Sequence, residues 1–140
     1  AFYTGVGTAF PAFAGRFGAA ANGVMGIGGV NSNDEKIKAY FAKSKEVTGT
    51  DPDYWASATT YAGLQILGQA IEKAGTKDRA AVIEAIKSNS FDTVIGEVKF
   101  VNNVNPNVWT VGQWRDGNFV AVAADGMEIS QEPVRKQGWE

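Results

Sequence analysis

Glycine turns and aromatic side chains, rather than catalytic groups, carry the chemistry this sequence offers. Its 140 residues include no histidine and no cysteine. That removes the commonest general base, thiol nucleophiles, disulfides and imidazole or thiolate metal ligands together. The carboxylates are scattered, and Asp51 with Asp53 reads as helix capping before metal binding. Gly5-Val6-Gly7 opens like a dinucleotide-binding loop, but the third glycine of that pattern falls on Phe10, and Gly26-Ile27-Gly28 fails in the same way at Asn31. No Walker loop and no nucleophile elbow occurs. No residue is assigned a catalytic role, and neither a metal nor a cofactor is expected. What remains is binding. Gly5, Val6, Gly7, Thr8 and Phe10 stand where a turn would follow a strand. Open α/β sheets bind ligands at such carboxyl ends, and glycine there exposes backbone N–H groups to an anion; a plain strand-to-helix turn satisfies the same pattern. Tyr54 and Trp55 form a second candidate group, able to stack on a planar ligand or to pack a core.

The elements that must position these residues can be read from periodicity and caps. Ala1 to Val6 reads as a short strand ending in a glycine turn. Thr8 to Ala21 places Phe10, Phe13 and Phe17 on one helical face, as a helix or an ordered loop, with Pro11 in a first turn where its missing N–H costs little. Val24 to Val30 is an apolar, glycine-containing strand suited to a parallel sheet. Ser32-Asn33-Asp34-Glu35 has the form of a capping box with Ser32 as N-cap, opening a helix that runs through Ile37, Tyr40, Phe41, Ser44 and Val47 to Gly49. Asp51 and Pro52 read as the cap and first residue of the next helix. Its apolar residues lie on two sides, Tyr61, Leu64 and Leu67 on one and Trp55, Ala62 and Ile66 on the other, the pattern of a helix buried all round.

Gly75 ends that helix, and Thr76 or Asp78 caps a short one carrying Val82, Ile83 and Ile86. From Asp92 to Phe100 the period becomes two, which predicts a strand. Val108 to Trp114 and Asn118 to Val122 flank Asp116-Gly117, a hairpin signal. The polar tail from Asp125 to Glu140 reads as a surface extension.

Composition narrows the partners. Thirteen basic against fifteen acidic residues, a net charge of −2, leave no basic surface for nucleic acid, and the 44% hydrophobic content is that of an ordinary globular domain. No run approaches the roughly 20 apolar residues of a membrane-spanning helix, so the chain is not expected to span a membrane. The start, Ala1-Phe2-Tyr3-Thr4-Gly5, reads like the middle of an α/β fold. The expectation is a fragment whose N-terminal half, with any export signal, lies outside this chain.

Three segments in order carry a resemblance. Tyr61 falls within a long helix, Ala70-Ile71-Glu72-Lys73-Ala74-Gly75-Thr76-Lys77-Asp78-Arg79 follows, and Asp92-Thr93-Val94-Ile95-Gly96-Glu97-Val98-Lys99-Phe100 comes after a short helix. Together they resemble the C-terminal half of the periplasmic solute-binding receptors of branched-chain amino acid ABC transporters. The resemblance runs from Phe2 through Trp114. It implies an α/β fold of the type I periplasmic-binding-protein kind, with two lobes joined by three crossovers and only the C-terminal part present. On that plan residues 1–27 are part of the second lobe, 28–104 part of the first, and 105–140 return to the second.

The resemblance also implies a periplasmic receptor that closes on a small-molecule solute and delivers it to an ABC transporter permease, with Ala56 at the family's side-chain contact. Family members that take branched-chain amino acids use an acidic residue in the turn matching Gly5 to Thr8. This turn has none, so a desolvated ammonium would lack its ion pair, and among small solutes (an amino acid, an aromatic or another carboxylate) a neutral or anionic one, such as an aromatic or other carboxylate, fits better than a leucine-like ligand. A ligand-sensing regulatory domain of the same fold is the alternative, and an enzyme would need a base other than histidine. A half protein exposes apolar surface, so this fragment is expected to associate with itself or with the missing N-terminal half.

Overall fold

A computed structural model describes residues 3–106, 109–124 and 131–138. The first strand, β1 (Tyr3–Thr4), turns through a 3₁₀ segment, Val6–Ala9, into helix α1 (Pro11–Phe17). Pro11 opens α1, and Gly18, at φ 51°, closes it into a second 3₁₀ turn, Gly18–Ala21. Helix and ordered turns thus share the stretch for which the sequence left both open. Strand β2 (Met25–Gly28) follows, then helices α2 (Glu35–Thr48), α3 (Ser57–Ala74) and α4 (Arg79–Ser88). Strands β3 (Ser90–Thr93) and β4 (Gly96–Lys99) precede β5 (Thr110–Arg115) and β6 (Asn118–Ala124). Ala1, Phe2 and Val108, part of the expected strands, lie outside the described residues.

One sheet has the order β1-β2-β5-β6, and β3 and β4 form a separate pair. β2 runs parallel to β1, as expected, but antiparallel to β5, so the sheet is mixed. The β5–β6 hairpin turns at Asp116 and Gly117, both at positive φ, as the Asp-Gly signal predicts. The main core lies between this sheet and α1. It holds Ala9, Ala21, Val24, Trp114 and Phe119, with Phe13, Tyr54 and Trp55 packed against it. A second cluster, around Ile66, Ala70, Val82, Phe91 and Val98, joins α3 and α4 to the β3–β4 hairpin.

Five expectations are corrected. Asp34, not Ser32, caps α2: its Oδ1 accepts from the amides of Lys36 at 2.7 Å and Ile37 at 3.4 Å. The Ser32 hydroxyl instead donates to the Phe119 carbonyl at 2.5 Å, so a long-range bond outcompetes the local cap. α3 begins at Ser57 rather than at Pro52, and Asp53 serves the incoming amides of Trp55 at 2.8 Å and Ala56 at 2.6 Å. Asp51 pairs with Lys45.

α3 is not buried all round. Ala58, Ala62, Ile66 and Ala70 face the core, while Tyr61, Leu64 and Leu67 are 45%, 64% and 45% exposed; Tyr61 meets only the Tyr40 ring of α2 among the described aromatic rings, at 5.1 Å. The run from Asp92 to Phe100 is not one strand: it folds back at Val94 and Ile95 into β4, with Gly96 at φ 94° taking the turn conformation.

Of the tail, 125–130 and 139–140 lie outside the described residues, and 131–138 are more than a surface extension. The buried Gln113 side chain pairs with Val134 through both its amide atoms, at 2.7 and 2.9 Å. Lys136 Nζ donates to the carbonyls of Ala20 and Asn22.

The caps give a prediction. Asp34→Ala should lower unfolding free energy by about 1 kcal/mol in urea titration, as N-cap losses do, and Asp53→Ala by about as much, because it strips the acceptor from the Trp55 and Ala56 amides. Asp51→Ala, which removes only an exposed ion pair, should cost less than about 0.5 kcal/mol.

Candidate functional site

At the carboxyl end of β1 the chain turns back, and two hydrogen bonds shape that turn. Thr8 Oγ1 donates to the Gly5 carbonyl at 2.8 Å, closing the loop on itself. The buried Trp114 indole Nε1 donates to the Thr8 carbonyl at 2.7 Å, tying the loop to β5. The next residue, Ala9, accepts from the Tyr54 amide at 2.8 Å. Gly26 on β2 lies beneath: a Cβ there would stand 1.7 Å from Thr8 Oγ1, so only glycine lets the turn sit against the strand.

The turn opens onto a cavity of about 600 Å³ lined by Thr4, Gly5, Val6, Gly7 and Thr8 together with Phe13, Phe17 and Ala20. Phe13 and Phe17 lie 4.8 Å apart, ring to ring. Among the described residues no charged side chain belongs to this lining. A cavity walled by aromatic and backbone groups, with hydroxyls at its base, suits an apolar or planar molecule with a few hydrogen-bonding atoms.

The structure therefore brings Gly5, Val6, Gly7 and Thr8 to one cavity. Phe10 is not in it: it lies at the entry to α1, beside a separate surface groove with Asp51, Asp53 and Ser57. Tyr54 turns inward. Its ring packs against Phe41 at 5.1 Å, Phe119 at 5.5 Å and Trp114 at 5.9 Å. Trp55 stacks on Trp109 at 4.6 Å and lines a groove of about 620 Å³ with Tyr3, Ile27, Val111 and Ala123. Tyr3 and Thr4 are successive strand residues, so this groove lies on the sheet face opposite the first cavity. Ala56 lines neither; its amide donates to Asp53 and its carbonyl accepts from Thr59 and Thr60.

Residues that the sequence did not single out for binding complete the first cavity: Thr4, Phe13, Phe17 and Ala20. The spacing of Phe13 and Phe17 showed a shared face but not what it faced. Trp114 gave no local signal, because its partner Thr8 is 106 residues away. Among the described residues no three His, Cys, Asp or Glu side chains converge as metal ligands.

The profile of the periplasmic binding protein family matches residues 3–118. The chain belongs to that family. A Leu/Ile/Val-binding protein homolog of Brucella abortus is 29% identical over 119 residues, 83% of this chain and 32% of that protein. Among solved structures, a leucine-binding protein of Thermotoga maritima superposes with a TM-score of 0.68 at 23% identity, covering 87% of this chain and 36% of that one. A solute-binding protein of an R. palustris ABC transporter, in complex with benzoate, gives a TM-score of 0.63 at 18% identity, covering 84% and 34%. The mixed α/β architecture is that of type I periplasmic binding proteins, over part of their length. This periplasmic binding protein chain spans about a third of the length of the curated relatives it matches.

Burial pushes the Tyr54 hydroxyl above its ordinary value of 10, against a hydrogen bond from the Phe119 backbone that pulls the other way, and the nearby Asp51 charge adds to the rise. A tyrosine whose folded pKa is raised adds stability below its unfolded pKa of about 10 and loses it as pH climbs through the folded value. Unfolding measured from pH 8 to 11 should show stability falling above pH 10, and Tyr54→Phe should flatten part of that fall.

Proposed function

We propose that this chain is part of a periplasmic receptor that captures a small solute for uptake by an ABC transporter, and that Gly5 to Thr8 form one wall of the solute site. The observation that carries this reading is the uncharged cavity where the turn meets Phe13 and Phe17. An ammonium group buried there would have no carboxylate among the described lining residues to compensate its lost hydration, whereas an aromatic or other carboxylate can lay its apolar body on the two rings and turn its oxygens to backbone N–H groups of the glycine turn. The benzoate complex of a protein sharing this fold supports that class. Family membership supports a binding role without catalysis and a periplasmic location. No described helix is long and apolar enough to cross a membrane.

The lobes are assigned as residues 1–27 and 105–140 to one and 28–104 to the other. The four-stranded sheet supports this, since it draws its strands from both ends of the chain while α2 to α4 and the β3–β4 hairpin lie between them in sequence. Solute contacts made only in the closed arrangement of two lobes would shift the population toward closure, the form a permease recognises. The exposed Tyr61, Leu64 and Leu67 stripe and the Tyr3, Trp109 groove are surfaces for the remainder of the receptor to cover, or for a second copy when this chain is alone.

Two measurements test the reading. In a thermal-shift assay of the intact receptor, benzoate should raise Tm while L-leucine should not. A solute at 100 times its Kd adds about 2.7 kcal/mol of stability. Gly7→Asp, at a position where nothing lies within 4 Å of a Cβ, should weaken benzoate binding at least tenfold by placing like charge in the turn. Benzoate affinity unchanged by Gly7→Asp would remove the turn from the site. For the 140-residue chain alone, sedimentation velocity should show self-association that Leu64→Glu reduces; a stable monomer would contradict the exposed stripe as an interface.

A further inference from the structure

Trp114 touches two walls of the cavity without lining it. Its indole N–H bonds to the Thr8 carbonyl at 2.7 Å, and its ring stacks with Phe13 at 6.4 Å and an interplanar angle of 19°. The indole cannot drift. Its own backbone amide donates to Val24 and its carbonyl accepts from Gly23, which fixes it to the sheet. Phe119 at 5.2 Å and Tyr54 at 5.9 Å hold the ring from the sides. Thr8, in turn, is buried, and its hydroxyl is committed to Gly5, so any displacement at its carbonyl passes to the turn.

Resting on the solute site above, we propose that Trp114 is a positioning residue for solute recognition: it sets the separation between the Gly5 to Thr8 turn and the Phe13 ring, and so the width of the space a solute fills. An indole is a donor only, and it is the side chain that can satisfy the Thr8 carbonyl while stacking beneath Phe13. Phenylalanine keeps the stack and loses the bond, leaving a buried carbonyl without its partner.

The test uses the intact receptor, with benzoate and L-leucine as probes and calorimetric Kd values measured at a temperature where every variant is folded by circular dichroism. Trp114→Phe should weaken benzoate binding about tenfold, with L-leucine the non-binding reference. Thr8→Val, which leaves the indole bond and removes the hydroxyl tie, should do the same, and Thr8→Ser should restore binding to within twofold of the unaltered receptor. The double variant Trp114→Phe with Thr8→Val should lose no more than the worse single variant, because both act through one turn.

Phe91→Leu supplies the control, since Phe91 belongs to the separate cluster under α4. It should lower Tm and leave the benzoate affinity unchanged. If Trp114→Phe and Thr8→Val lower Tm but bind as the unaltered receptor does, the two residues are core alone and the inference is overturned. If the unaltered receptor binds neither probe, the solute-class reading itself fails, and this inference with it.

Discussion

A single donor-acceptor pair, the Trp114 indole and the Thr8 carbonyl, joins the late hairpin of this chain to its first turn. Much of the first core follows from the need to keep that indole dry and fixed. Phe119, its neighbour across the hairpin, supports one side of the ring, and Tyr54, carried in on the loop before α3, supports another. Gly29 lets that loop approach: its amide donates to the Tyr54 carbonyl at 2.8 Å, and a Cβ there would stand 1.9 Å from the Trp55 carbonyl. A buried polar bond of this kind contributes only about 1 kcal/mol net, yet leaving the carbonyl unpaired costs more, so it fixes geometry more than it adds stability.

The resulting cavity is apolar and uncharged, and discrimination there must come from shape and desolvation. An ammonium brought into it meets no carboxylate among its described lining residues. The two faces of the sheet also differ. One is filled by Trp114, Phe119 and the turn, while the other offers Tyr3, Ile27, Val111 and the Trp55–Trp109 stack to whatever covers them. Leu64 and Leu67 on α3 are open as well, so packing is closed around the turn while apolar side chains are exposed elsewhere.

The sequence is legible where the interaction is local. Gly49 and Gly75 end their helices in the left-handed conformation, Asp78 caps α4, and Asp116-Gly117 turns the hairpin. It is not legible where a distant partner decides. Ser32 has the residue type of a cap, but the Phe119 carbonyl claims its hydroxyl across 87 residues. Periodicity alone could not distinguish a helix apolar on two sides because it is buried from one whose second side lacks its partner, as in α3. An alternating run likewise does not reveal a reversal within it, which here falls at Val94 and Ile95 before Gly96. In the site, the glycine turn was legible because glycine marks close approach. Its supports were not, since Trp114 and Gly26 matter only through contacts that the fold creates.

The most direct test of the central claim is a crystal structure of the intact receptor grown with benzoate. The account predicts the solute in van der Waals contact, about 4 Å or less, with Val6, Gly7 and the Phe13 ring. A solute bound instead between Trp55 and Trp109, or nowhere near the turn, would contradict it.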